Sequence, residues 1–181
     1  GATCKEGYFL KVTVSVEGID GDPSGESIRA VSAAEHSTVF ASVLQELYPS
    51  LKSFESVDLS VAFVSSEYMR NLNLQYRELD EPTDVLSFPL WEVEGAFRPT
   101  WSGPDLPLGD VVICEDVVRE SAEEQGIPFF DAICLILSHG VLHLIGFDHY
   151  SEEDRVRMFG LQETMRDGLV VFSRNNSGRT S

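Results

Sequence analysis

The amino-acid sequence predicts an α+β fold, a four-stranded mixed sheet with surrounding helices and one central buried helix that carries the candidate metal ligands. The alternating apolar residues of 8–16 (YFLKVTVSV) predict a half-buried strand. It is followed by a helical pattern at 30–48, which a proline ends, and by a second strand at 57–64. The order strand, helix, strand predicts a parallel crossover. Residues 131–145 are apolar on nearly all sides, so they predict the central helix.

The other elements are predicted from capping residues, glycines and prolines. The further strands are expected at 84–88 and 108–114. The further helices are expected at about 65–76, 115–125 and 151–167. Long loops are expected at 18–27 and 91–107. Glycines are expected to end the last three helices, at Gly126, Gly146 and Gly168.

A chain of 181 residues is long enough for one domain with its own core. We expect a single domain over 1–172 and a polar, mobile tail over 173–181. The three cysteines are not spaced for a disulfide framework or a Cys-x-x-Cys metal site, which indicates a reducing compartment. The longest apolar stretch, 132–147, is too short to span a membrane, so no membrane partner is expected.

The charge balance is strongly acidic. Thirteen Lys and Arg residues stand against thirty Asp and Glu residues, which gives a formal net charge of −17. A surface with this charge repels bulk phosphate, so a protein that coats nucleic acid without specificity is excluded. An enzyme that acts on nucleic acid remains compatible with the composition, because it needs only a local basic pocket.

Three of the four histidines fall within eleven residues. His139 and His143 are four residues apart, so their imidazoles project from one face of the predicted helix. Gly146 allows the chain to turn back and bring His149 toward them. Three neutral imidazoles with a fourth position open to water are typical of a catalytic zinc site. The adjacent Asp148 can orient one of these ligands.

The alternative is that these histidines are ordinary core residues with satisfied hydrogen bonds. A single histidine on a buried helix favours that interpretation, but three at this spacing favour a metal site. The pattern differs from the zinc-peptidase motif His-Glu-x-x-His, because Gly140 stands where the catalytic glutamate would be. His36 stands alone and is expected at the surface.

The segment SHGVLHLIGFDH closely resembles the His-Gly-x-Leu-His-Leu-x-Gly-x-Asp-His signature of the YbeY family. Two further blocks resemble that family in the same order. Tyr76 and Arg77, followed by 81–89 (EPTDVLSFP), form the first, and 108–113 (LGDVVI) form the second. The resemblance covers roughly residues 57–167, whereas the 91–107 loop looks longer than is usual in the family.

The resemblance implies a metal-dependent endoribonuclease that acts in ribosomal RNA maturation and ribosome quality control. It implies that His139, His143 and His149 bind one Zn²⁺, although imidazole ligands also suit other late divalent metals. It implies that activity depends on Arg77. The expected substrate is single-stranded RNA in ribosomal RNA precursors, and the expected partner is the small ribosomal subunit.

The family occurs in bacteria and in organelles of bacterial origin. The chain begins with Gly1 in place of Met, so we expect a trimmed chain or part of a longer precursor. The expected location is an organellar stroma or matrix, with the chloroplast favoured, or otherwise the bacterial cytoplasm.

Several other residues are candidates for substrate contacts. Arg70 and Arg98 are expected to join Arg77 in a basic groove. The equally weighted alternative is that Arg70 and Arg98 are solvated residues of the surface. Asp84 and Asp110 lie near predicted strand ends, where each can position a water or a ligand histidine or can equally cap a turn. The loop aromatics can stack on unpaired bases, but packing of the loop onto the domain is favoured. These aromatics are Trp91, Phe97 and Trp101.

Two other functions are compatible with the same residues. The first is a ribosome-assembly binding module whose zinc is mainly structural. The second is a metal-dependent hydrolase of a peptide or small ester, which Gly140 makes the weaker case.

Overall fold

The structure is a computed structural model that describes residues 10–148 and 151–177. Its strands are β1 (Lys11–Gly18), β2 (Ser56–Val64), β3 (Val85–Pro89), β4 (Glu92–Val93), β5 (Ala96–Phe97) and β6 (Asp105–Cys114). Its helices are α1 (Gly25–His36), α2 (Thr38–Leu47), α3 (Ser66–Arg77), α4 (Glu115–Gln125), α5 (Phe129–Leu144) and α6 (Glu152–Ser177). A short 3₁₀ helix, Pro49–Ser53, follows α2.

The main sheet has four strands in the order β1-β2-β6-β3. The first three strands are parallel to one another, and β3 pairs with β6 in the antiparallel direction. The four-stranded mixed sheet is therefore confirmed. Its register shifts beside Gly109, whose φ is +134°. A Cβ there would lie 2.3 Å from the carbonyl oxygen of Phe88, so glycine is required at this bulge.

Helix α5 is buried at the centre of the domain, as the sequence predicted. It packs against β3 and β6 on one side and against α1, α4 and α6 on the others. Ten of its sixteen residues are buried, including Leu137 and Val141, which are fully inaccessible to solvent. An all-round apolar helix is stable in this place because neighbouring elements cover most of its surface.

The predicted helix at 30–48 is two helices that meet at Ser37. The backbone of Ser37 is extended, its N–H bonds to Ala33 at the end of α1, and its hydroxyl accepts from the N–H of Val39 at the start of α2. One serine therefore ends one helix and caps the next. Helix α1 also begins at Gly25, inside the predicted loop.

Helix α6 is longer than predicted and passes through Gly168 to Ser177. A Cβ at position 168 would lie 2.3 Å from Val39 Cγ2. Gly168 therefore allows α6 to pack closely on α2, and its assignment as a helix stop was wrong. Residues 173–177, which were assigned to the tail, continue the helix, and 178–181 lie outside the described residues. Gly126 does end α4, in the left-handed conformation at φ +68°.

The long loop before β6 contains the β4–β5 hairpin. Trp91 donates from its indole N–H to the carbonyl of Pro107 at 2.6 Å. The rings of Phe97 and Tyr48 pack edge to face, 4.8 Å apart. Trp101 also packs against Trp91. The aromatics thus fold the loop onto the domain, which was the favoured interpretation.

No single helix among the described residues is long and apolar enough to cross a membrane. Helices α4 and α5 reach that length only together, across a bend of 119°.

Candidate active site

A cleft of about 420 Å³ opens beside the C-terminal end of α5. Its walls come from the end of α3, the segment that leads into β3, the hairpin strand β4 and the residues that follow α5. The lining side chains that carry charge or metal-binding nitrogen are Arg77, Asp84, Glu92, His139, His143 and Asp148.

The two helical histidines converge at the floor of this cleft. The Nε2 atoms of His139 and His143 are 3.0 Å apart, and their rings meet at 73°. The Nδ1 atom of His139 lies 2.9 Å from Oε1 of Gln162 on α6. An amide oxygen only accepts hydrogen bonds, so this contact places the proton of His139 on Nδ1 and its lone pair on Nε2.

Close packing of α5 on the sheet fixes the position of this helical turn. A Cβ at Gly140 would lie only 2.6 Å from Val111 Cγ1 of β6, so the glycine brings the helix against the sheet. Ser87 of β3 donates from its hydroxyl to the carbonyl of Gly140 at 2.8 Å. Glycine at this position, which argues against a zinc peptidase, therefore also has a packing role.

The residues after α5 are anchored from the other side. Tyr48 donates its hydroxyl proton to the carbonyl of Ile145 at 3.0 Å. Burial raises the pKa of Tyr48, which keeps the hydroxyl a donor at neutral pH. Gly146 has φ +94° and turns the chain toward the cleft as predicted.

The described donor set fits part of a metal site. Two imidazole ligands of one tetrahedral zinc ion lie about 3.3 Å apart, close to the separation of the two Nε2 atoms. The third predicted ligand, His149, lies outside the described residues. Within residues 10–148 and 151–177, no group of three His, Cys, Asp or Glu side chains is arranged to hold a metal ion. The assignment of His139, His143 and His149 as ligands stays a prediction.

Arg77 lies where α3 ends and lines the same cleft as the two histidines. The helix stops there because Glu78 takes the left-handed conformation at φ 58°. The buried Asn73 donates from its side chain to the carbonyl of Glu81 at 2.8 Å, which holds the turn after Arg77. The structure thus brings Arg77 into the same cleft as His139 and His143, which are far from it in sequence.

Other predicted residues are elsewhere. Arg70 makes two hydrogen bonds to Asp80, at 2.7 and 3.0 Å, and does not line the cleft. These bonds and the charge of Arg70 lower the pKa of Asp80. Arg98 follows β5 and is exposed outside the cleft, and Asp110 lines a groove on the opposite face of the sheet. Of these three arginines only Arg77 lines the described cleft, which favours the alternative that Arg70 and Arg98 are solvated surface residues.

The cleft is acidic on balance. Arg77 is the one cation among its described lining residues, and Asp84, Glu92 and Asp148 are anions, which makes a net charge of −2. Asp84 accepts from the backbone N–H of Val85 at 2.8 Å, so it also caps a turn. Further positive charge in this cleft would favour the binding of an anionic ligand.

Sequence reasoning missed Gln162 and Glu92. Gln162 occupies a buried stripe of α6 in which the neighbouring positions are Met158, Met165 and Leu169. A polar residue at apolar spacing was the signal that could have found it. Glu92 lies in a segment predicted as irregular loop, and no sequence signal assigned it to the cleft.

Comparisons with known proteins identify relatives of this chain. The family model described as Endoribonuclease YbeY matches residues 24–169. The Endoribonuclease YbeY of Staphylococcus carnosus is 43% identical over 115 residues, which are 62% of this chain and 72% of that protein. The protein of the same name from Rhodococcus opacus is 40% identical over 114 residues, 62% of this chain and 63% of that one.

A solved structure is also similar. The solution structure of a Thermotoga maritima protein superposes with a TM-score of 0.54 and 27% sequence identity, over 94% of this chain and 96% of that one. Since the family model spans most of the chain and the described cleft residues lie within its matched range, this chain belongs to the YbeY family of endoribonucleases.

Proposed function

We propose that this protein is a metal-dependent endoribonuclease that cleaves single-stranded RNA in ribosomal RNA precursors, on or near the small ribosomal subunit. The observation that supports the proposal most strongly is the pair of histidine Nε2 atoms, 3.0 Å apart, in the same cleft as Arg77. The curated relatives, which are named endoribonucleases, support the reaction class.

His139, His143 and His149 would hold one Zn²⁺ or another late divalent ion. A zinc ion with three imidazole ligands lowers the pKa of water to about 7 and polarises a phosphoryl oxygen, which is the chemistry that hydrolysis of a phosphodiester needs. A divalent charge would also offset the net charge of −2 of the described lining residues. The acidic cleft would then accept a phosphate group.

Arg77 binds the scissile phosphate. Its guanidinium can donate two parallel hydrogen bonds to phosphate oxygens and stabilise the negative charge that develops there. No other cation among the described lining residues can take this role. A cleft of about 420 Å³ matches the size of small-ligand sites and suits one nucleotide of a flexible strand better than a rigid duplex.

A cleavage assay on a short unstructured RNA tests this proposal. With metal-loaded protein, Arg77→Ala is expected to lower the cleavage rate by about 10²–10³-fold, the typical effect of removing one group that stabilises transition-state charge. Arg70→Ala is the matched control, because Arg70 lies on the same helix but outside the cleft, and it should keep the wild-type rate. Equal cleavage by wild type and Arg77→Ala would indicate a contaminating nuclease and contradict the proposal.

Metal analysis provides the second test. Wild-type protein should contain one equivalent of a divalent metal, and His143→Ala should lose both the metal and the cleavage activity. Bound metal without any cleavage in highly purified wild-type protein would instead favour the ribosome-assembly binding module.

We propose an organellar location, with the chloroplast favoured, or otherwise the bacterial cytoplasm. The resemblance supports both, and the relatives reported above come from bacteria. A fluorescent fusion of the protein encoded by the whole native gene tests the organellar location. Cytosolic fluorescence in a eukaryotic cell would contradict it.

A further inference from the structure

Gln162 of α6 is a buried polar side chain that contacts one of the two histidines of the cleft. It is 8% exposed and lies between Met158 and Met165, which are almost fully buried. A buried amide requires hydrogen bonds, and its Oε1 atom lies 2.9 Å from Nδ1 of His139. The amide therefore points at one of the two histidines that form the cleft floor.

We propose that Gln162 is a positioning residue that fixes His139 as the Nδ1–H tautomer and so prepares its Nε2 atom to bind a metal ion. This inference rests on the proposed function, because it assigns a cause to the metal affinity of the same site. Gln162 itself touches neither metal nor substrate, and it acts through His139.

A neutral imidazole carries one N–H and one lone pair, and Oε1 of Gln162 can only accept. The proton of His139 must therefore be on Nδ1, which leaves the lone pair of Nε2 directed toward the Nε2 atom of His143, 3.0 Å away. The other tautomer would place a proton where a ligand lone pair is needed and would leave the buried Oε1 without its donor.

The location of Gln162 makes the contact rigid. Helix α6 packs along α5, so both partners are on long helices and not on loops. Partners of this kind that orient a metal-binding histidine typically change metal affinity by 10–100-fold when they are removed.

Metal affinity is the first readout. We would measure the Kd for Zn²⁺ by competition with a chromogenic chelator in wild type, Gln162→Met and Gln162→Glu. Gln162→Met removes the acceptor and keeps a side chain of similar size in an environment that already contains methionines, so it should fold and weaken binding by about 10–100-fold. Gln162→Glu keeps an acceptor and should bind at least as tightly as wild type. Gln125→Met, at an exposed glutamine of α4, should leave the Kd unchanged.

The tautomer is the second readout and needs no metal. In metal-free protein labelled with ¹⁵N-histidine, long-range ¹H–¹⁵N spectra should show His139 as the Nδ1–H form, and Gln162→Met should show a mixture of both forms. A merely structural role for Gln162 would not change this spectrum.

The outcomes separate two kinds of failure. Two results would overturn the inference and leave the proposed metal site standing. One is an Nε2–H form of His139 in the wild type, and the other is a wild-type Kd in Gln162→Met together with loss of binding in His139→Ala. A Kd unchanged by His139→Ala would overturn both the inference and the proposed metal site. Weaker binding in Gln162→Met, restored binding in Gln162→Glu and the Nδ1–H form in the wild type would establish it.

Discussion

The contact between Gly140 and Val111 tests whether direct packing holds the histidine-bearing turn of α5 against the sheet. Gly140→Ala adds one methyl group, whose carbon would lie 2.6 Å from Val111 Cγ1 and 3.3 Å from Val111 Cγ2. Val111 is fully buried and β-branched, so its side chain has little freedom to move aside. The helix or the strand must shift, and overpacking of this kind costs about 1–3 kcal/mol.

A matched glycine separates this cost from the change in helix propensity. Gly160 lies in α6, is exposed, and a Cβ there would meet nothing within 4 Å. Both substitutions gain about 1 kcal/mol from replacing glycine with alanine inside a helix. Gly160→Ala should therefore stabilise the protein, whereas Gly140→Ala should be about 1–3 kcal/mol less stable than Gly160→Ala.

Urea unfolding followed by circular dichroism measures the difference. For a chain of this size, each kcal/mol also shifts Tm by about 2–4 °C. Val111→Ala should relieve the clash, so Gly140→Ala should be less harmful in that background, with a coupling energy of about 0.5–3 kcal/mol. If Gly140→Ala stabilises the protein as much as Gly160→Ala does, the reasoning is refuted.

Three further measurements test other contacts. Trp91→Phe removes the hydrogen bond to the Pro107 carbonyl and should lower the free energy of unfolding by about 1 kcal/mol. A protease should then cut the β4–β5 hairpin faster, and an unchanged rate of proteolysis would contradict the anchoring role. Hydrogen bonds from Ser65 lower the pKa of Asp20 in the folded protein. Their stabilising effect is therefore complete above the pKa of Asp20 in the unfolded chain, near 4, and is lost as the pH falls through its pKa in the folded protein. The stability difference between wild type and Asp20→Asn should therefore shrink as the pH is lowered below about 4, and a constant difference would argue against it. Burial raises the pKa of Cys134 to about 12, so iodoacetamide at pH 8 should modify its peptide only after unfolding, as mass spectrometry would show.

The sequence predicted the elements whose identity depends on local pattern. The alternating segments became strands of one mixed sheet, and the all-round apolar segment became the central helix α5. Gly126 ended its helix because its left-handed conformation is a local property of the chain. These features need no knowledge of distant residues.

Tertiary contacts decided the features that were predicted wrongly. Gly168 looked like a helix stop, but its role depends on Val39, a residue far away in sequence. Ser37 lies in a short polar segment, 35–38 (EHST), which is compatible with one continuous helix or with a break between two helices. In both cases the local pattern is compatible with two structures, and packing selects one of them.

The same distinction applies to the candidate site. The spacing of His139 and His143 placed them on one helical face, and the resemblance identified Arg77 as a functional residue. The sequence could not show that Asp80 pairs with Arg70, since that ion pair depends on how the chain turns after α3. The contact of Gln162 with His139 joins two helices and was equally invisible.

The dependence of α5 on α6 has a consequence for synthesis. Helix α6 packs along α5, and its residues Met158, Met165 and Leu169 are buried. Translation adds about 5–20 residues per second, so the 26 residues of α6 take roughly 1–5 s to complete. During that interval the nascent chain exposes part of α5, the most apolar of the described helices, so we expect α5 to be protected from solvent only after α6 is complete.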